Sequence, residues 1–230
     1  MSGKLFGLGV GPGDPELLTI KALRIIKESD IIAVPGNKTE ESVAYQIVKG
    51  VYPELDQKHL LPIAMPMTKD SAVLEENHQK AAEEVGNFLR EGKQVAFLTL
   101  GDPTVYSTYL YVHKRILNQG YEAEIVSGIT SFCAVAARLN MGLVEMAEPL
   151  HVIPATYQAS EMDNVLKLPG TKVLMKTGRK MEQVRESILN SGQKAVMIEN
   201  CGMPSEKIYE TAEAIPKQAG YYSLIIVKEQ

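Results

Sequence analysis

Short apolar segments alternate with amphipathic segments along most of the chain, and this alternation limits the possible folds more than any other feature. Residues 94–100 have the apolar character of a strand in the middle of a parallel sheet. Residues 71–91 have the apolar spacing of a long amphipathic helix, and Gly92 follows at the favoured C-terminal cap position. The chain is therefore predicted to adopt an α/β fold.

The last part of the chain departs from this alternation. Strands predicted at 208–211 and 222–227 follow one another with no helix between them, which indicates a mixed sheet. We predict two α/β lobes, residues 1–119 and 120–230, with a mainly parallel sheet in the first and a mixed sheet in the second. The active site is expected in the cleft between the lobes.

Glycine occupies every second position from residue 7 to residue 13, directly after the first predicted strand. Glycines between a strand and a helix let the backbone approach a ligand with no side chain in the way. The dinucleotide pattern G-x-G-x-x-G would need glycine at position 12 or 14, where the chain has Pro12 and Asp14. The Gly-Lys-Ser/Thr of a phosphate loop does not follow either. The run therefore predicts close contact with a ligand that is not held by a phosphate.

Two further turns have a similar composition. Gly101 and Asp102 follow the apolar strand at 94–100, and Gly128 follows a predicted strand at 122–126. Each turn alone is well explained as an ordinary turn or helix cap. Three of them at strand ends of an α/β chain, where parallel sheets bind ligands, favour a ligand site.

Composition narrows the class of partner and the compartment. The net charge of the 230 residues is −4 and no long block of lysines and arginines stands out, which argues against a nucleic-acid surface. The chain shows neither a signal peptide nor an apolar run of membrane-spanning length, so no membrane partner is expected. Two distant cysteines, Cys133 and Cys201, fit a reducing compartment, and the location is predicted to be cytoplasmic.

The three turns resemble the motifs of the tetrapyrrole (corrin and porphyrin) methylase family. The family's G-x-G-x-G-D-x-x-L-L-T-x-K-A is matched by residues 9–22, and its G-D-P-x-x-Y by residues 101–106. Its third motif, usually P-G-I-T-S, is matched at residues 128–131, with Ser127 where proline is usual. The resemblance covers the chain from Lys4 to the C-terminus and implies two α/β lobes of the tetrapyrrole methylase type.

Shorter stretches, among them residues 65–70 and 106–111, resemble the branch of the family that acts on precorrin-2 or cobalt-precorrin-2. This implies methyl transfer from S-adenosylmethionine to the C-20 meso carbon, giving precorrin-3 or cobalt-precorrin-3, in cobalamin (vitamin B12) biosynthesis. It also implies a homodimer. Any cobalt would be carried by the substrate, so no metal bound by the protein itself is expected.

The resemblance assigns site residues by motif position. The donor contacts it implies are Pro12, Leu100, Gly101, Asp102, Val105, Thr130 and Ser131, with Met175 and Cys201 in the second lobe. Asp102 is the first candidate for an electrostatic or proton-accepting catalytic role, followed by Tyr106 and Asp14. Asp14 has an alternative explanation as a helix N-cap.

The substrate that the resemblance implies is an anionic macrocycle, and Gly11 and Gly13 are candidates to border it. Lys176 and Arg179, in a basic cluster after a predicted strand, are the candidates for its carboxylates. The four histidines have no metal-ligand spacing. Alternatives that stay open are methylation of another tetrapyrrole, such as uroporphyrinogen III, and a non-catalytic tetrapyrrole-binding protein on the same fold.

Overall fold

The structure is a computed structural model that describes residues 3–66, 68, 70–154 and 159–229. Of Ala159, Ser160 and Arg179 it describes the backbone alone. The chain divides into two compact units, Met1–Thr130 and Ser131–Gln230.

The first unit is a sheet with helices on both faces. Its elements in chain order are β1 (Lys4–Gly9), α1 (Ile20–Glu28), β2 (Ile31–Pro35), α2 (Val43–Val51), β3 (His59–Ile63), α3 (Ser71–Arg90), β4 (Val95–Thr99), α4 (Tyr109–Asn118) and β5 (Glu122–Val126). The strand order is β3-β2-β4-β1-β5 and every pair is parallel. The mainly parallel sheet predicted for the first lobe is confirmed.

Alternate residues of β4 pack into two different apolar cores. Ala96 and Leu98 join the core that contains α1 and α2, and Val95 and Phe97 join the core that contains α3 and α4. Because both faces of the sheet are covered, β4 is apolar at successive positions. This two-sided burial is the physical origin of the apolar run at 94–100.

The carboxyl ends of β1 and β4 form a switch point of the sheet. β1 leads through α1 to β2 on one side, and β4 leads through α4 to β5 on the other. The connecting helices α1 and α4 lie in opposite cores, so the loops after β1 and β4 diverge. In open parallel sheets ligands bind at such a point, beyond the carboxyl ends of the strands.

The second unit contains α5 (Ser131–Arg138), β6 (Leu150–Pro154), α6 (Ala159–Leu166), β7 (Thr171–Met175), α7 (Met181–Ser191), β8 (Lys194–Glu199), β9 (Lys207–Tyr209) and β10 (Ser223–Lys228). Its strand order is β6-β7-β10-β8-β9, with one parallel pair, β6 and β7, and antiparallel pairs elsewhere. The predicted mixed sheet is confirmed. Because β7 and β8 are both antiparallel to β10, they end at the same edge, where β10 begins.

The division between the units falls later than the predicted one. The boundary at 119/120 would place β5 in the second lobe, whereas β5 pairs with β1, Leu8 standing opposite Val126. An isolated strand sequence does not specify which of two sheets it joins.

Two helices begin later than predicted. Asp14 was expected to cap an α-helix, but Pro15–Leu17 forms a single 3₁₀ turn and α1 begins at Ile20, where the Thr19 hydroxyl accepts from the Ala22 amide. The sequence pattern after the apolar strand at 94–100 predicts a helix from about Val105 to Gln119, but α4 begins at Tyr109, because Tyr106 has a left-handed backbone that no α-helix contains.

No helix in the described ranges is long and apolar enough to cross a membrane.

Candidate functional site

The loops after β1 and β4 are joined by their backbones. The Gly101 amide donates to the Gly11 carbonyl at 2.8 Å, and the Gly11 amide donates to the Gly101 carbonyl at 3.3 Å. Both glycines have left-handed backbones, with φ of 80° at Gly11 and 71° at Gly101. This conformation is strained for other residues, so the bridge between the loops depends on glycine at these positions.

The loop after β5 packs against the other two without any intervening side chain. A Cβ atom placed on Gly9 would lie 2.5 Å from the amide nitrogen and the α-carbon of Gly128. A Cβ atom on Gly128 would lie 2.3 Å from the Gly101 carbonyl oxygen. The three glycine-containing turns singled out from the sequence therefore form one cluster, which we call the linked loops (residues 9–14, 100–106 and 127–130).

The glycines of the first run serve different purposes. Gly7 makes room for the Tyr109 ring and Gly9 for the Gly128 backbone, so at these two positions the protein itself fills the space. A Cβ atom on Gly101 would meet only the Ile129 carbonyl oxygen, at 3.9 Å. Gly101 is buried, but unlike Gly7 and Gly9 it leaves room for an added Cβ atom, so the protein does not need glycine here to avoid a clash. Its backbone is a position that a ligand could approach closely.

The Asp102 side chain is 5% exposed and accepts four hydrogen bonds. Its Oδ1 accepts from the Thr104 amide, at 2.7 Å, and from the Thr104 hydroxyl. Its Oδ2 accepts from the Gly128 amide, at 2.9 Å, and from the Ser127 hydroxyl. The carboxylate thereby holds the loop after β4 to the loop after β5.

These contacts also set the charge of Asp102. Burial acts to raise the pKa of the carboxyl group, and the hydrogen bonds from Ser127, Thr104 and Gly128 outweigh it and lower the pKa. An ionised carboxylate has about four acceptor positions, and all are taken here. The group supplies a negative charge, but it could accept a proton only by giving up one of its donors.

Tyr106 combines exposure with an unusual backbone. Its side chain is 47% exposed and its φ is 50°, in the left-handed region that a bulky residue rarely adopts. Such a conformation costs about 1–3 kcal/mol and is most often found at functional positions. Its predecessors Leu100 and Val105, both predicted donor contacts, are half-buried on the same loop.

Asp14 is held by local structure. Its carboxylate accepts from the Glu16 amide at 2.9 Å and caps the 3₁₀ turn. The alternative explanation given for Asp14 from the sequence, a helix-type N-cap, is thus the contact that the structure contains. The neighbouring Gly11, Pro12 and Gly13 are buried on the same loop. Their contact with a ligand stays a prediction.

Thr130 and Ser131 are both half-buried where the loop after β5 leads into α5. Thr130 is the last residue of the first unit and Ser131 the first of the second. Their contact with the donor stays a prediction.

The predicted residues of the second unit meet at the edge where β7 and β8 end. Met175 is the last residue of β7 and stands opposite Leu224 of β10, and Cys201 follows β8 by two residues. Lys176 has a φ of 58°, and its Nζ lies 5.9 Å from the centre of the Tyr221 ring. The side chain of Arg179 lies outside the described residues.

Sequence reasoning missed several groups. Among the residues that the structure describes, two buried hydroxyls have no hydrogen-bond partner, Oγ1 of Thr99 and Oγ1 of Thr177. Thr99 ends β4 and Thr177 follows Lys176. No sequence pattern distinguishes these threonines from capping residues. A role for Ser127 was indicated by the sequence, because it occupies the position where the third motif of the tetrapyrrole methylase family usually has proline.

Within the described ranges, His, Cys, Asp and Glu side chains form no group of three that could hold a metal ion. Cys133 and Cys201 are both free thiols.

The chain was compared with families of known proteins, curated proteins and solved structures. The family model for tetrapyrrole (corrin/porphyrin) methylases matches residues 4–216. A Methanocaldococcus jannaschii protein, named as a probable cobalt-precorrin-2 C(20)-methyltransferase, is 42% identical over 76% of this chain and 72% of its own length. The cobalt-precorrin-2 C(20)-methyltransferase of Salmonella typhimurium is 33% identical and is aligned over 100% of this chain and 98% of its own.

The fold is also found in solved structures. The uroporphyrin III C-methyl transferase of Thermus thermophilus superposes with a TM-score of 0.72 over 99% of this chain and 98% of its own, at 21% identity. With the linked loops, the parallel and mixed sheets and these matches in agreement, the chain belongs to the tetrapyrrole methylase family.

Proposed function

We propose that this protein transfers a methyl group from S-adenosylmethionine to the C-20 meso carbon of precorrin-2 or cobalt-precorrin-2, in cobalamin biosynthesis. The observation that carries the proposal is the set of linked loops at the switch point of the parallel sheet, in which the backbones of Gly11 and Gly101 are bridged to each other. The names of the relatives at 42% and 33% identity support the choice of precorrin-2 and of C-20.

The linked loops suit a donor that has no phosphate. Bound S-adenosylmethionine supplies an activated methyl group on a sulfonium cation. In our proposal the backbone around Pro12, Leu100 and Gly101 and the side chain of Val105 hold its adenosyl part. The ionised carboxylate of Asp102 places a negative charge on the same loop, which favours a cation nearby. Thr130, Ser131, Met175 and Cys201 complete the proposed donor contacts.

The main task of the protein is alignment. The donor is already activated, so transfer to a nucleophilic ring carbon depends on orientation, which can contribute about 7–11 kcal/mol to lowering a barrier. The rigid backbone bridges among the linked loops provide such preorganisation. Because every acceptor position of the Asp102 carboxylate is occupied by a hydrogen bond, we assign it an electrostatic role. The exposed side chain of Tyr106 stays a catalytic candidate that could contact the substrate.

The tetrapyrrole is a polycarboxylate, and a protein of net charge −4 must bind it through local basic groups. We propose Lys176 as one of them. Its left-handed backbone and its approach to the Tyr221 ring fix its position at the edge of the mixed sheet. Gly11, Gly13 and Arg179 stay proposed substrate contacts.

The test is to incubate the protein with labelled S-adenosylmethionine and, separately, with precorrin-2, cobalt-precorrin-2 and uroporphyrinogen III. We expect one methyl group per macrocycle, assigned to C-20 by NMR, with one of the first two substrates. Methylation of uroporphyrinogen III alone would establish the alternative substrate. Tight binding of a tetrapyrrole with no transfer to any substrate would indicate a carrier.

We also propose a homodimer located in the cytoplasm. The homodimer rests on the family resemblance, and the cytoplasmic location rests on the two free cysteines. Sedimentation equilibrium of the full chain tests the first proposal, since a concentration-independent mass near 25.3 kDa would show a monomer.

A further inference from the structure

We propose that Ser127 is a positioning residue for the methyl-donor site and that it acts through the carboxylate of Asp102. The inference rests on the proposed function in one respect, the identity of the ligand that the linked loops bind.

The two oxygens of Asp102 have separate tasks. Both bonds to Oδ1 come from Thr104, so this oxygen holds the loop after β4 in its own turn. Both bonds to Oδ2 come from the loop after β5, one from the Ser127 hydroxyl and one from the Gly128 amide at 2.9 Å. Without the Ser127 hydroxyl, a single side-chain-to-backbone bond would connect the two loops through Asp102.

A small movement of the loop after β5 would displace the backbone of Gly101. Gly128 packs so tightly that a Cβ atom on it would lie 2.3 Å from the Gly101 carbonyl oxygen. That oxygen also accepts from the Gly11 amide at 3.3 Å. The position of residue 128 is therefore transmitted to Gly101 and then to the loop after β1.

Ser127 contributes little else to the fold. The residue is exposed, and it belongs to neither apolar core of the first unit. A proline at position 127 would restrict the backbone of this turn through its ring. The serine instead restrains the turn through the hydrogen bond that its hydroxyl donates to the buried carboxylate of Asp102. Its removal should therefore affect the loops more than the stability of the sheet.

The donors to Asp102 are all uncharged, and no charged side chain contributes to the shift of its pKa. Loss of the Ser127 donor would raise the pKa of Asp102 towards its ordinary value. The carboxylate would then become protonated at a higher pH than in the wild-type protein.

The test compares Ser127→Ala and Ser127→Thr with the wild-type protein. The matched control is Ser191→Ala, which removes a serine hydroxyl that donates to the Ile188 carbonyl at the end of α7. S-adenosylhomocysteine is titrated by calorimetry from pH 8 to pH 3, a range that extends below the ordinary pKa of 3.8 of the Asp102 carboxyl group. We expect Ser127→Ala to weaken binding about tenfold at pH 8, as for loss of one bond to a charged group. Its affinity should also fall off at a higher pH than that of the wild type. Ser127→Thr should restore binding, and Ser191→Ala should not change it.

A second measurement needs no ligand. Amide hydrogen exchange of the free protein should be faster in residues 100–104 and 127–130 of Ser127→Ala and unchanged in β1 and β4. Unaltered affinity and pH profile in Ser127→Ala would overturn the inference, as would a lowered melting temperature with no selective change in the loops. Absence of binding by the wild type would refute the proposed function, while the exchange comparison would still decide the role of Ser127.

Discussion

At the scale of single residues, charge at the site is controlled by hydrogen bonds from uncharged groups. Asp102 keeps its negative charge although it is buried, because Thr104, Ser127 and Gly128 supply its four donors. The same saturation prevents it from acting as a free base. Tyr106 differs, since its side chain is exposed and its backbone lies in the left-handed region.

A second carboxylate, Glu124, is also kept ionised by hydrogen bonds, but its donors are charged lysines. Glu124 of β5 accepts from Lys21 at 2.7 Å and from Lys4 at 2.8 Å, and these bonds lower its pKa from 4.5 to about 2. Because the folded pKa is below the unfolded one, this stabilisation is complete above pH 4.5 and disappears as the pH falls towards 2. We expect Glu124→Gln to be less stable than the wild type at pH 7 and equally stable near pH 2, as measured by urea unfolding. A constant difference across this range would contradict the assignment.

The sequence predicted which residue types lie at the site better than it predicted their contacts. Gly101, Asp102 and Gly128 were identified because glycine and aspartate after a strand are recognisable as a turn. The bond between Ser127 and Asp102 joins residues 25 positions apart, and only the pairing of strands brings them together. Asp14 was given two explanations; its carboxylate caps the 3₁₀ turn, and its catalytic role stays a prediction.

At the scale of elements, the three loops are fixed by the lateral order of β4, β1 and β5. Adjacent parallel strands end at one edge, and their loops then pack backbone to backbone. The late starts of α1 and α4 could not be predicted from periodicity. Each depends on the backbone conformation of a few residues in the preceding turn.

The contact between Gly9 and Gly128 gives a direct test of this packing. In Gly9→Ala the added Cβ atom would lie 2.5 Å from backbone atoms, which cannot move without separating the loops. We expect a loss of more than about 2 kcal/mol in unfolding free energy, as for overpacking in a core. Gly120→Ala is the control, since it has a φ of 83° but no atom within 4 Å of its added Cβ. Gly9 itself has no left-handed backbone, so a loss in Gly9→Ala no larger than the strain penalty of Gly120→Ala would contradict the tight packing of the loops.

Strand β7 contains a lysine whose burial is unfavourable. Lys172 is 0% exposed, with its Nζ 3.3 Å from the Gln193 side-chain oxygen and 3.8 Å from Glu229. Burial lowers its pKa, so stability should rise as the pH approaches the unfolded pKa of 10.5. We expect Lys172→Met to be more stable than the wild type by about 1 kcal/mol or more at pH 7, and the difference to shrink at pH 10.

The control for this variant is Lys194→Met, which replaces an exposed lysine at the start of β8. Its stability should be nearly unchanged at both pH values. A destabilised Lys172→Met would show instead that the buried ammonium group is fully compensated by its partners.

At the scale of the whole molecule, the sequence predicted two α/β units with different sheets but not the boundary between them. The sheet types follow from whether a helix separates successive strands. The assignment of β5 to the first sheet depends on a long-range pairing with β1. The family followed from three short motifs, because their glycines and Asp102 are the residues that the linked loops require.

The central claim is methyl transfer to C-20 of a precorrin-2 macrocycle, and a single-turnover experiment tests it most directly. The protein is mixed with S-adenosylmethionine labelled with ¹³C in its methyl group and with precorrin-2 or cobalt-precorrin-2, and the product is examined by NMR and mass spectrometry. Our account predicts one labelled methyl group on the C-20 meso carbon, with S-adenosylhomocysteine formed in equal amount. A label on a different carbon, or no transfer to either macrocycle by protein that binds the donor, would contradict it.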